Sequence, residues 1–413
     1  MSARLPFQVA VVGLTAMLVP LAVQLVIAGV VPTGLAGTRI TQFASVIAAL
    51  SALLAVRRFI AYPGTGGFAY IIPSFSVTFG LAATVLLALR LRYSGSMILT
   101  AYVVSTAITF VLWYLGERSA PRRMFFVPHG AISIIEDTPQ IEWIALQRPE
   151  LPDDAGSGIV ADLHHDHHPE WERLLADAAL SGKPVYHTKQ LHESLTGRVQ
   201  IEHLSENSFG SLLPNRAYRG VKRAADVLAC LVAMPLLALP MLVVAALIRL
   251  DSPGPSFFLQ ERMGYRGKTF RVIKFRTMRV AEPGADQVFT SITRDKDDRV
   301  TRIGRLLRRT RMDELPQILN VLRGEMSWIG PRPEAMALSR WYEAELPFYS
   351  YRHIVRPGIS GWAQVNQGHV AELDDAHRKL HYDFYYIKHL SSWLDVLIAM
   401  RTCGTILTGY GAR

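Results

Sequence analysis

Residues 310–334 read TRMDELPQILNVLRGEMSWIGPRPE and place two adjacent carboxylates, Asp313 and Glu314, just before a short helix. Pro316 sets where that helix begins. Because proline lacks the N–H that an inner helical turn needs, it belongs in the first turn, and the helix is predicted to start at about Asp313. A carboxylate there lies in the positive field of the helix terminus, which can also hold a phosphate. The segment therefore predicts an ionised aspartate beside a phosphate site, as phosphoryl transfer through an aspartyl intermediate requires.

The acidic pair also has a purely structural interpretation, a helix N-cap followed by a solvated first-turn acid, which is the commoner role of an isolated pair. The surrounding sequence favours the functional one, because further blocks flank the pair in a fixed order. They are Lys222-Arg223, Asp226, DSPGP (251–255), QER (260–262), Gly264, IKFRTM (273–278), GPRPE (330–334), RPGISGWAQ (356–364), Asp383, Tyr386 and Asp395.

The order and spacing of these blocks over residues 222–413 resemble the signature of bacterial sugar transferases, the monotopic phosphoglycosyl transferases that load a hexose-1-phosphate onto a polyprenyl phosphate. The resemblance implies that Asp313 attacks the sugar-bearing phosphate of a UDP-sugar, that UMP leaves, and that undecaprenyl phosphate then displaces the phosphosugar. Glu314 would assist by positioning Mg²⁺ or by managing a proton, with Asp313 and Glu314 as metal ligands. Mg²⁺ is expected because a diphosphate leaving group needs charge neutralisation and hard oxygen ligands suit that ion.

Basic residues around the acidic pair are the other candidate site residues. Prolines hold Arg332 on both sides, so its guanidinium is positioned as a bidentate phosphate clamp requires. Lys274 and Arg276 alternate with Ile273 and Phe275 on a predicted strand and would share one face. The predicted phosphate-binding residues are Arg332, Lys274, Arg276, Arg311, Arg262 and Arg356. Arg308 and Arg309 are interpreted as contacts with the lipid surface.

The composition restricts the partners. The chain has 44 Lys+Arg against 34 Asp+Glu, a formal net charge of +10, which favours phosphorylated substrates, anionic lipid or nucleic acid. Nucleic acid is the least favoured, because no zinc-finger spacing or RNA-binding aromatic signature accompanies the basic residues. Cys230 and Cys403 lie in apolar surroundings, which suits a reducing compartment and argues against a metal–thiolate site.

Residues 1–119 carry four apolar segments, at about 7–31, 41–56, 67–89 and 94–116. The first, third and fourth have the length needed to cross about 30 Å of hydrocarbon, and the second is short. Flanking arginines favour a cytoplasmic N-terminus, with Arg4, Arg57, Arg58, Arg118, Arg122 and Arg123 inside and Arg39, Arg90 and Arg92 outside. With the resemblance, this predicts a multi-pass protein of the bacterial inner (cytoplasmic) membrane, with a four-helix transmembrane bundle and a catalytic domain on the cytoplasmic face.

Residues 120–216 predict a small Rossmann-like α/β domain. Strands are expected at 124–127, 141–146, 158–163 and 183–188, and an amphipathic helix at 169–180. No G-x-G-x-x-G follows the first strand, so nucleotide binding has little support. Longer members of the resembled family carry such a domain as a scaffold or dimerisation element, which implies a homodimer. The cluster His164, His165, Asp166, His167 and His168 either binds a metal or forms a solvated loop, and the following Pro169 favours the loop.

Residues 217–413 are the predicted catalytic domain, an α/β monotopic domain with a re-entrant membrane helix. An uncharged run from residue 227 to residue 248 has the length of a fifth transmembrane helix. A full crossing would place Asp313 outside the cell, away from nucleotide sugars. Pro235 and Pro240 can each break the helix. Pro240 matches the break position of the family, although Leu239 replaces the polar residue usual before it.

The C-terminal aromatic residues are predicted to lie on interfacial helices in the headgroup region. They are Trp341, Tyr342, Phe348, Tyr349, Tyr382, Phe384, Tyr385, Tyr386 and Trp393.

Two other functions fit parts of the sequence. A membrane glycosyltransferase would transfer the sugar alone, release UDP rather than UMP, and use Asp297-Asp298 or Asp374-Asp375 as metal ligands. A non-enzymatic scaffold of an export complex would tolerate Asp313→Asn. The sequence favours the phosphotransferase. It leaves open which hexose is transferred and whether the product is capsule, exopolysaccharide or O-antigen.

Overall fold

The computed structural model describes residues 5–28, 34–60, 68–118, 123–130, 141–152, 158–200, 216–279, 299–367 and 373–408. The chain divides into two compact units, Met1–Gly197 and Arg198–Arg413. The predicted domains 1–119, 120–216 and 217–413 stay a prediction. Of the predicted residues, Arg4, Arg122, Asp297 and Asp298 lie outside the described ranges.

Four long apolar helices open the first unit. They are α1 (Leu5–Ala28), α2 (Gly34–Ile60), α3 (Phe68–Ala88) and α4 (Gly95–Arg118). The helix α2 has 27 residues and is longer than predicted, because helical structure continues through polar residues such as Thr38 and Thr41 that interrupt the apolar pattern. Small side chains, including Ala16, Ala49 and Ala52, are buried at the common core of the helices. By length and composition, all four could cross a membrane.

A parallel sheet follows in the same unit. Its strands are β1 (Arg123–Phe126), β2 (Glu142–Ala145), β3 (Gly158–Ala161) and β4 (Val185–His187), in the order β2-β1-β3-β4. The helix α5 (Pro169–Leu180) packs on one face through Trp171 and Leu174. The helix α6 (Thr188–Thr196) packs on the other face through Leu191. A strand lies in each of the four predicted runs.

The second unit begins with the helix α7 (Arg216–Asp251), which has 36 residues and contains both Pro235 and Pro240. It is also long and apolar enough to cross a membrane. Helical structure continues through both prolines, so the break predicted at Pro240 does not appear as an interruption of the helix. The re-entrant course of this helix stays a prediction.

One face of α7 packs against the second unit from one end to the other. Cys230, in the first half, joins a buried cluster with Ile318, and Val244, in the second half, joins another with Phe275. The opposite face exposes large apolar side chains, namely Leu228, Leu231, Val232, Leu236, Leu239, Leu242, Val243, Leu247 and Leu250. A helix that crossed the membrane completely would carry the domain packed along it into the hydrocarbon.

The rest of the second unit is built from short elements. They are β5 (Phe257–Met263) and β6 (Thr269–Phe275), which pair antiparallel, α8 (Arg302–Arg309), a 3₁₀ helix (Met312–Gln317), α9 (Ile318–Arg323), β7 (Ser327–Ile329), α10 (Met336–Glu345), β8 (Gly358–Ser360), which pairs parallel with β7, α11 (Trp362–Gln367), α12 (Leu373–Lys388) and α13 (Ser392–Thr408).

Three glycines let the backbones around β7 and β8 approach closely. A Cβ added at Gly330 would lie 2.4 Å from the carbonyl oxygen of Arg356. One added at Gly358 would lie 2.1 Å from the Gly330 nitrogen, and one at Gly361 would lie 2.3 Å from the Gly330 oxygen. The GPRPE and RPGISGWAQ blocks are therefore joined through their main chains, just ahead of Arg332.

Most of the C-terminal aromatic residues belong to the core, so the prediction of interfacial helices is wrong for them. Phe384, Tyr385 and Tyr386 are buried. The Tyr386 hydroxyl donates to Asp395 Oδ1 at 2.8 Å, which gives a buried polar tip the partner it needs. Of the predicted set, Trp341 and Trp393 are exposed.

Candidate active site

The acidic pair lies in the 3₁₀ helix Met312–Gln317, which also contains Pro316. The helix therefore begins within a residue of the predicted start, although its first turn is 3₁₀ rather than α. Arg311 precedes it in the left-handed backbone region, with φ 58°, and its side chain makes no capping hydrogen bond. Asp313 is inside the helix and is not its N-cap. Left-handed conformations of non-glycine residues are strained and cluster at functional sites.

Glu314 is buried between two cations. Its Oε1 accepts hydrogen bonds from Lys274 Nζ at 3.1 Å and from Arg332 Nη2 at 2.7 Å. Burial by itself raises the pKa of Glu314, but the charges of Arg332 and Lys274 outweigh burial and hold the pKa well below its usual value. Glu314 is therefore ionised at neutral pH and holds both cations in place.

Asp313 is partly exposed, and its two carboxylate oxygens differ in their surroundings. Its Oδ1 is buried and has no hydrogen-bond partner among the residues that the structure describes. Burial and then the charge of Glu314 raise the pKa of Asp313, while Lys274, Arg332 and Arg311 oppose that rise. A desolvated carboxylate oxygen in a cationic site can act on a phosphorus atom or bind a metal ion.

Four of the predicted cations gather around this pair. Burial lowers the pKa of Lys274 to about 8, and the charge of Glu314 raises the pKa of Arg332 above its usual value. Burial and then the charge of Arg332 lower the pKa of Arg262 to about 10. Arg311 is exposed, and its charge lowers the pKa of both carboxyl groups.

Arg276, by contrast, caps a helix. The strand β6 ends at Phe275, so the alternation that would have placed Lys274 and Arg276 on one face does not reach Arg276. Its guanidinium donates to the carbonyls of Ser252 at 2.7 Å and of Pro253 at 2.8 Å, beyond the last turn of α7. Carbonyls at a helix C-terminus lack helical partners, and a cation satisfies them well. The predicted role in phosphate binding is corrected accordingly.

Arg356 is the second correction. Its Nε donates to the carbonyl of Gly324 at 2.9 Å, at the C-terminal end of α9. Its guanidinium carbon lies 5.2 Å from the centroid of the Tyr265 ring. Arg223 donates to the carbonyls of Val321 and Leu322 at the same helix end. Arg356 therefore belongs to a second cap and not to the group around Asp313.

The C-terminal half carries the signature of a known family. The sequence model of the bacterial sugar transferases matches residues 217–409. A protein of Aeromonas hydrophila named UDP-N-acetylgalactosamine-undecaprenyl-phosphate N-acetylgalactosaminephosphotransferase is 47% identical over 357 residues, which are 86% of this chain and 84% of that protein. The chain belongs to the bacterial sugar transferase family. The family predicted from the sequence blocks is confirmed.

Two further relatives match this sugar transferase over about half of its length. Proteins named UDP-glucose:undecaprenyl-phosphate glucose-1-phosphate transferase, from Caulobacter vibrioides and Escherichia coli K12, are 44% and 42% identical. The matches cover 48% and 45% of this chain and 74% and 39% of those proteins. The Aeromonas protein alone among these three matches over most of the chain.

Asn320 holds the site of this sugar transferase together, and it was not predicted. Its Oδ1 accepts from the Ile273 N–H at 3.0 Å, and its Nδ2 donates to the Arg271 carbonyl at 2.7 Å. The side chain thus ties α9, which follows Glu314, to the strand that carries Lys274. The only sequence signal is an amide between apolar residues of a short helix, where a polar residue must find partners once it is buried.

A buried ionic network contacts the main chain of Arg332. Arg352 donates to the Arg332 carbonyl at 2.9 Å and pairs with Asp383 at 2.7 Å. Lys379 pairs with Glu334. Burial raises the pKa of Glu334, but the charges of Lys379 and Arg352 outweigh burial and hold the pKa at about 2. The Asp383 block is therefore a support of the site, which fixes the backbone on both sides of Pro333.

Asp374 and Asp375 are one of the two pairs of metal ligands considered for the alternative glycosyltransferase. They lie in the first turn of α12. Asp375 pairs with Arg378 at 3.8 Å, and both side chains are exposed. The described residues thus give this pair the contacts of a solvated helix start.

Proposed function

We propose that this sugar transferase moves a hexose-1-phosphate from a UDP-sugar to undecaprenyl phosphate, giving undecaprenyl-diphosphate-sugar and UMP. The observation that carries the proposal is the difference in hydrogen bonding between the two acids. Glu314 Oε1 is bound by Lys274 and Arg332, whereas Asp313 Oδ1 is buried without a hydrogen-bond partner in the described part of the chain. Asp313 is therefore the group that can reach a phosphorus atom, and Glu314 positions the cations.

The reaction has two displacements at one phosphorus atom. An Asp313 oxygen attacks the phosphate that bears the sugar, the bond from that phosphorus to the bridging oxygen breaks, and UMP leaves with that oxygen. A phosphate oxygen of undecaprenyl phosphate then attacks the same phosphorus, and the bond to Asp313 breaks. The carboxylate is restored and the lipid carries a diphosphate sugar. No proton transfer is needed at Glu314, whose pKa is held well below its usual value.

Lys274 and Arg332 would stabilise the charge that develops on the transferring phosphoryl group. Both are positioned before a substrate binds, because Glu314 and the surrounding main chain hold them. Preorganised cations of this kind cost little reorganisation during the reaction. Arg262 and Arg311 add positive charge at the edges of the site.

The acidic pair fits a Mg²⁺ ion that is shared with a substrate. Mg²⁺ is usually bound by one or two carboxylates together with substrate phosphate oxygens, and Asp313 Oδ1 is a buried oxygen that lacks a partner within the described ranges. Asp313, with Glu314 beside it, would hold the ion. When bound, Mg²⁺ would neutralise charge on the diphosphate.

N-acetylgalactosamine is the first sugar to test, because the relative that matches over 86% of this chain is named for it. Glucose is the second, because two relatives that match over about half of the chain are named for glucose. We assign the reaction to the first membrane step in the synthesis of an exopolysaccharide, capsule or O-antigen.

The decisive measurement is the nucleotide product. Purified enzyme with undecaprenyl phosphate, Mg²⁺ and a panel of UDP-sugars should release UMP with at least one sugar. Release of UDP would instead indicate transfer of the sugar alone. With labelled UDP-sugar and no lipid acceptor, label should stay on the protein and UMP should be released in equal amount. Turnover without any such adduct would indicate direct transfer in a ternary complex.

The exposed leucine face of α7 supports insertion into one leaflet, since its other face packs on the domain along its whole length. Reporters fused after Arg123 and after Arg249 should then both be cytoplasmic. A periplasmic signal after Arg249 with a cytoplasmic signal after Arg123 would contradict the re-entrant proposal.

A further inference from the structure

Histidines gather at the carboxyl edge of the parallel sheet in the first unit. The strands β3 and β4 are neighbours, and Ala161 pairs in register with His187. Asp162 and His164 come just after the end of β3, which places them near His187 at the same edge of the sheet. The carboxyl ends of parallel strands are where open α/β sheets bind ligands. The sequence interpretation favoured a solvated loop at residues 164–168, because Pro169 follows, and it did not consider His187.

Three side chains converge at this edge. His187 Nε2 lies 2.6 Å from His164 Nδ1, and the Asp162 carboxylate completes a group whose ligand atoms all lie within 4.8 Å of one another. A tight turn sets the spacing: the His165 N–H donates to the Asp162 carbonyl at 3.1 Å, and the His164 N–H donates to Asp162 Oδ1 at 3.1 Å. His187 is buried and His164 is exposed, so solvent reaches the group from the side of His164.

We propose that Asp162, His164 and His187 bind a divalent transition-metal ion of the Zn²⁺ class, at a site separate from the acidic pair. Two imidazole nitrogens and a carboxylate oxygen are the three-ligand set that Zn²⁺ and its neighbours accept, with a fourth position left for water or another ligand.

Thr188 and Lys189 lie at the other ring nitrogen of His187. His187 Nδ1 accepts from the Lys189 N–H at 3.3 Å, as the side-chain N-cap of α6, and lies 3.2 Å from Thr188 Oγ1. A bond from Nε2 to a metal requires the ring proton on Nδ1, where Thr188 Oγ1 can accept it. The proton would move from Nε2 to Nδ1 of the same ring, and the hydrogen bond from the Lys189 N–H would be replaced by the one to Thr188 Oγ1. Outer partners of this type fix the tautomer and orientation of metal-bound histidines.

The test is metal binding by the full-length enzyme, purified without a polyhistidine tag. After dialysis against Zn²⁺ and removal of excess metal, the wild type should retain about one equivalent per chain by elemental analysis. Co²⁺ in its place should give the visible absorption of a low-coordinate site. His164→Ala, on the exposed turn, and Asp162→Asn, which keeps an acceptor for the turn, should each weaken binding roughly tenfold or more.

Two matched controls locate the ion. His168→Ala removes an exposed neighbour outside the group and should bind as the wild type does. His377→Ala breaks the contact between the His377 and His381 rings, whose centroids are 4.4 Å apart in the second unit, and should also bind normally. No retained metal in the wild type, equal binding in His164→Ala, or loss in His377→Ala would each overturn the proposal. UMP release by His164→Ala is expected to match the wild type, which keeps this test independent of the proposed function.

Discussion

Two groups of buried or half-buried cations in the second unit have different hydrogen-bond acceptors. Lys274 and Arg332 donate to the carboxylate of Glu314, next to Asp313. Arg276 and Arg356 point at carbonyls at the ends of α7 and α9. The first group is held by a carboxylate, and we propose that it contacts the substrate phosphate. The second group is bonded to main-chain oxygens at helix ends.

The difference shows that positive charge near an acidic pair does not by itself define a phosphate site. What separates the groups is the kind of acceptor. A charged acceptor such as Glu314 keeps a lysine or arginine in place inside the fold, while a carbonyl at a helix end is a structural need that exists in any substrate state. Substitutions in the first group should therefore lower turnover, whereas substitutions in the second group should lower thermal stability.

The largest effect is expected from Asp313→Asn. The amide keeps the size of the side chain but is a far weaker nucleophile, so UMP release should fall at least about a thousandfold, or about 4 kcal/mol of transition-state stabilisation. The labelled adduct should disappear, while thermal stability stays near that of the wild type. Labelling that persists in this variant and vanishes in Glu314→Gln would reverse the roles of the two acids.

Arg276→Gln should come second and should affect stability rather than chemistry. It removes hydrogen bonds from a charged donor to the Ser252 and Pro253 carbonyls, and losses of this kind cost about 2 kcal/mol. The melting temperature should fall by several degrees, and turnover per folded enzyme should stay within about twofold of the wild type. A large fall in turnover with unchanged melting would return Arg276 to the phosphate site.

Arg332→Lys should have a smaller effect that is confined to catalysis. The lysine keeps the charge and loses the fork, so UMP release should fall about tenfold, or about 1.4 kcal/mol. Arg356→Lys is the matched control from the second group and should change turnover by less than about twofold. If Arg332→Lys turns over like the wild type, the fork of Arg332 does not act on the phosphate and the residue serves only as an ion-pair partner of Glu314.

The smallest effect concerns pH. The pKa of Lys274 is lowered to about 8, so its charge is present below pH 8 and is lost above it. The ratio kcat/KM should therefore fall to about half near pH 8 and decline further, and Lys274→Met should lack this limb. The stability change has the opposite sign: the unfolded chain keeps the proton to about pH 10.4, so the cost of burying this lysine decreases as pH rises through 8. A profile unchanged in Lys274→Met would assign the limb to another group.

Much of this organisation could be predicted because apolar length and motif order are local properties. The four N-terminal helices, the four strand runs and the start of the helix at Asp313 all follow from residue types within a short window. Arg332 and Lys274 lie beside Glu314 as the sequence predicted, since proline and strand patterning restrict them locally, and their role in phosphate binding stays a prediction. Arg276 was not, because the strand ends one residue before it and the carbonyls that it caps belong to another element.

Contacts between distant segments account for the remaining differences. The residues near Asn320 in sequence do not indicate that its side chain hydrogen-bonds the main chain of Arg271 and Ile273. Tyr385 and Tyr386 have the composition of an interfacial helix, yet they are buried because the hydroxyl of Tyr386 finds an acceptor inside the fold. His164 and His187 are brought together by strand pairing, which a linear pattern of histidines does not show.

The close approach of Gly330, Gly358 and Gly361 makes Arg332, which we propose binds the substrate phosphate, sensitive to mutations that change no charge. A single methyl group at Gly358 would come within 2.1 Å of the Gly330 nitrogen, and the main chain would have to move to relieve that overlap. Arg332 lies two residues farther along, so the displacement would pass into a site where a shift of about 1 Å can cost a hundredfold in rate. Alanine at any of these three glycines would therefore lower the rate of the enzyme, although every proposed functional group is still present.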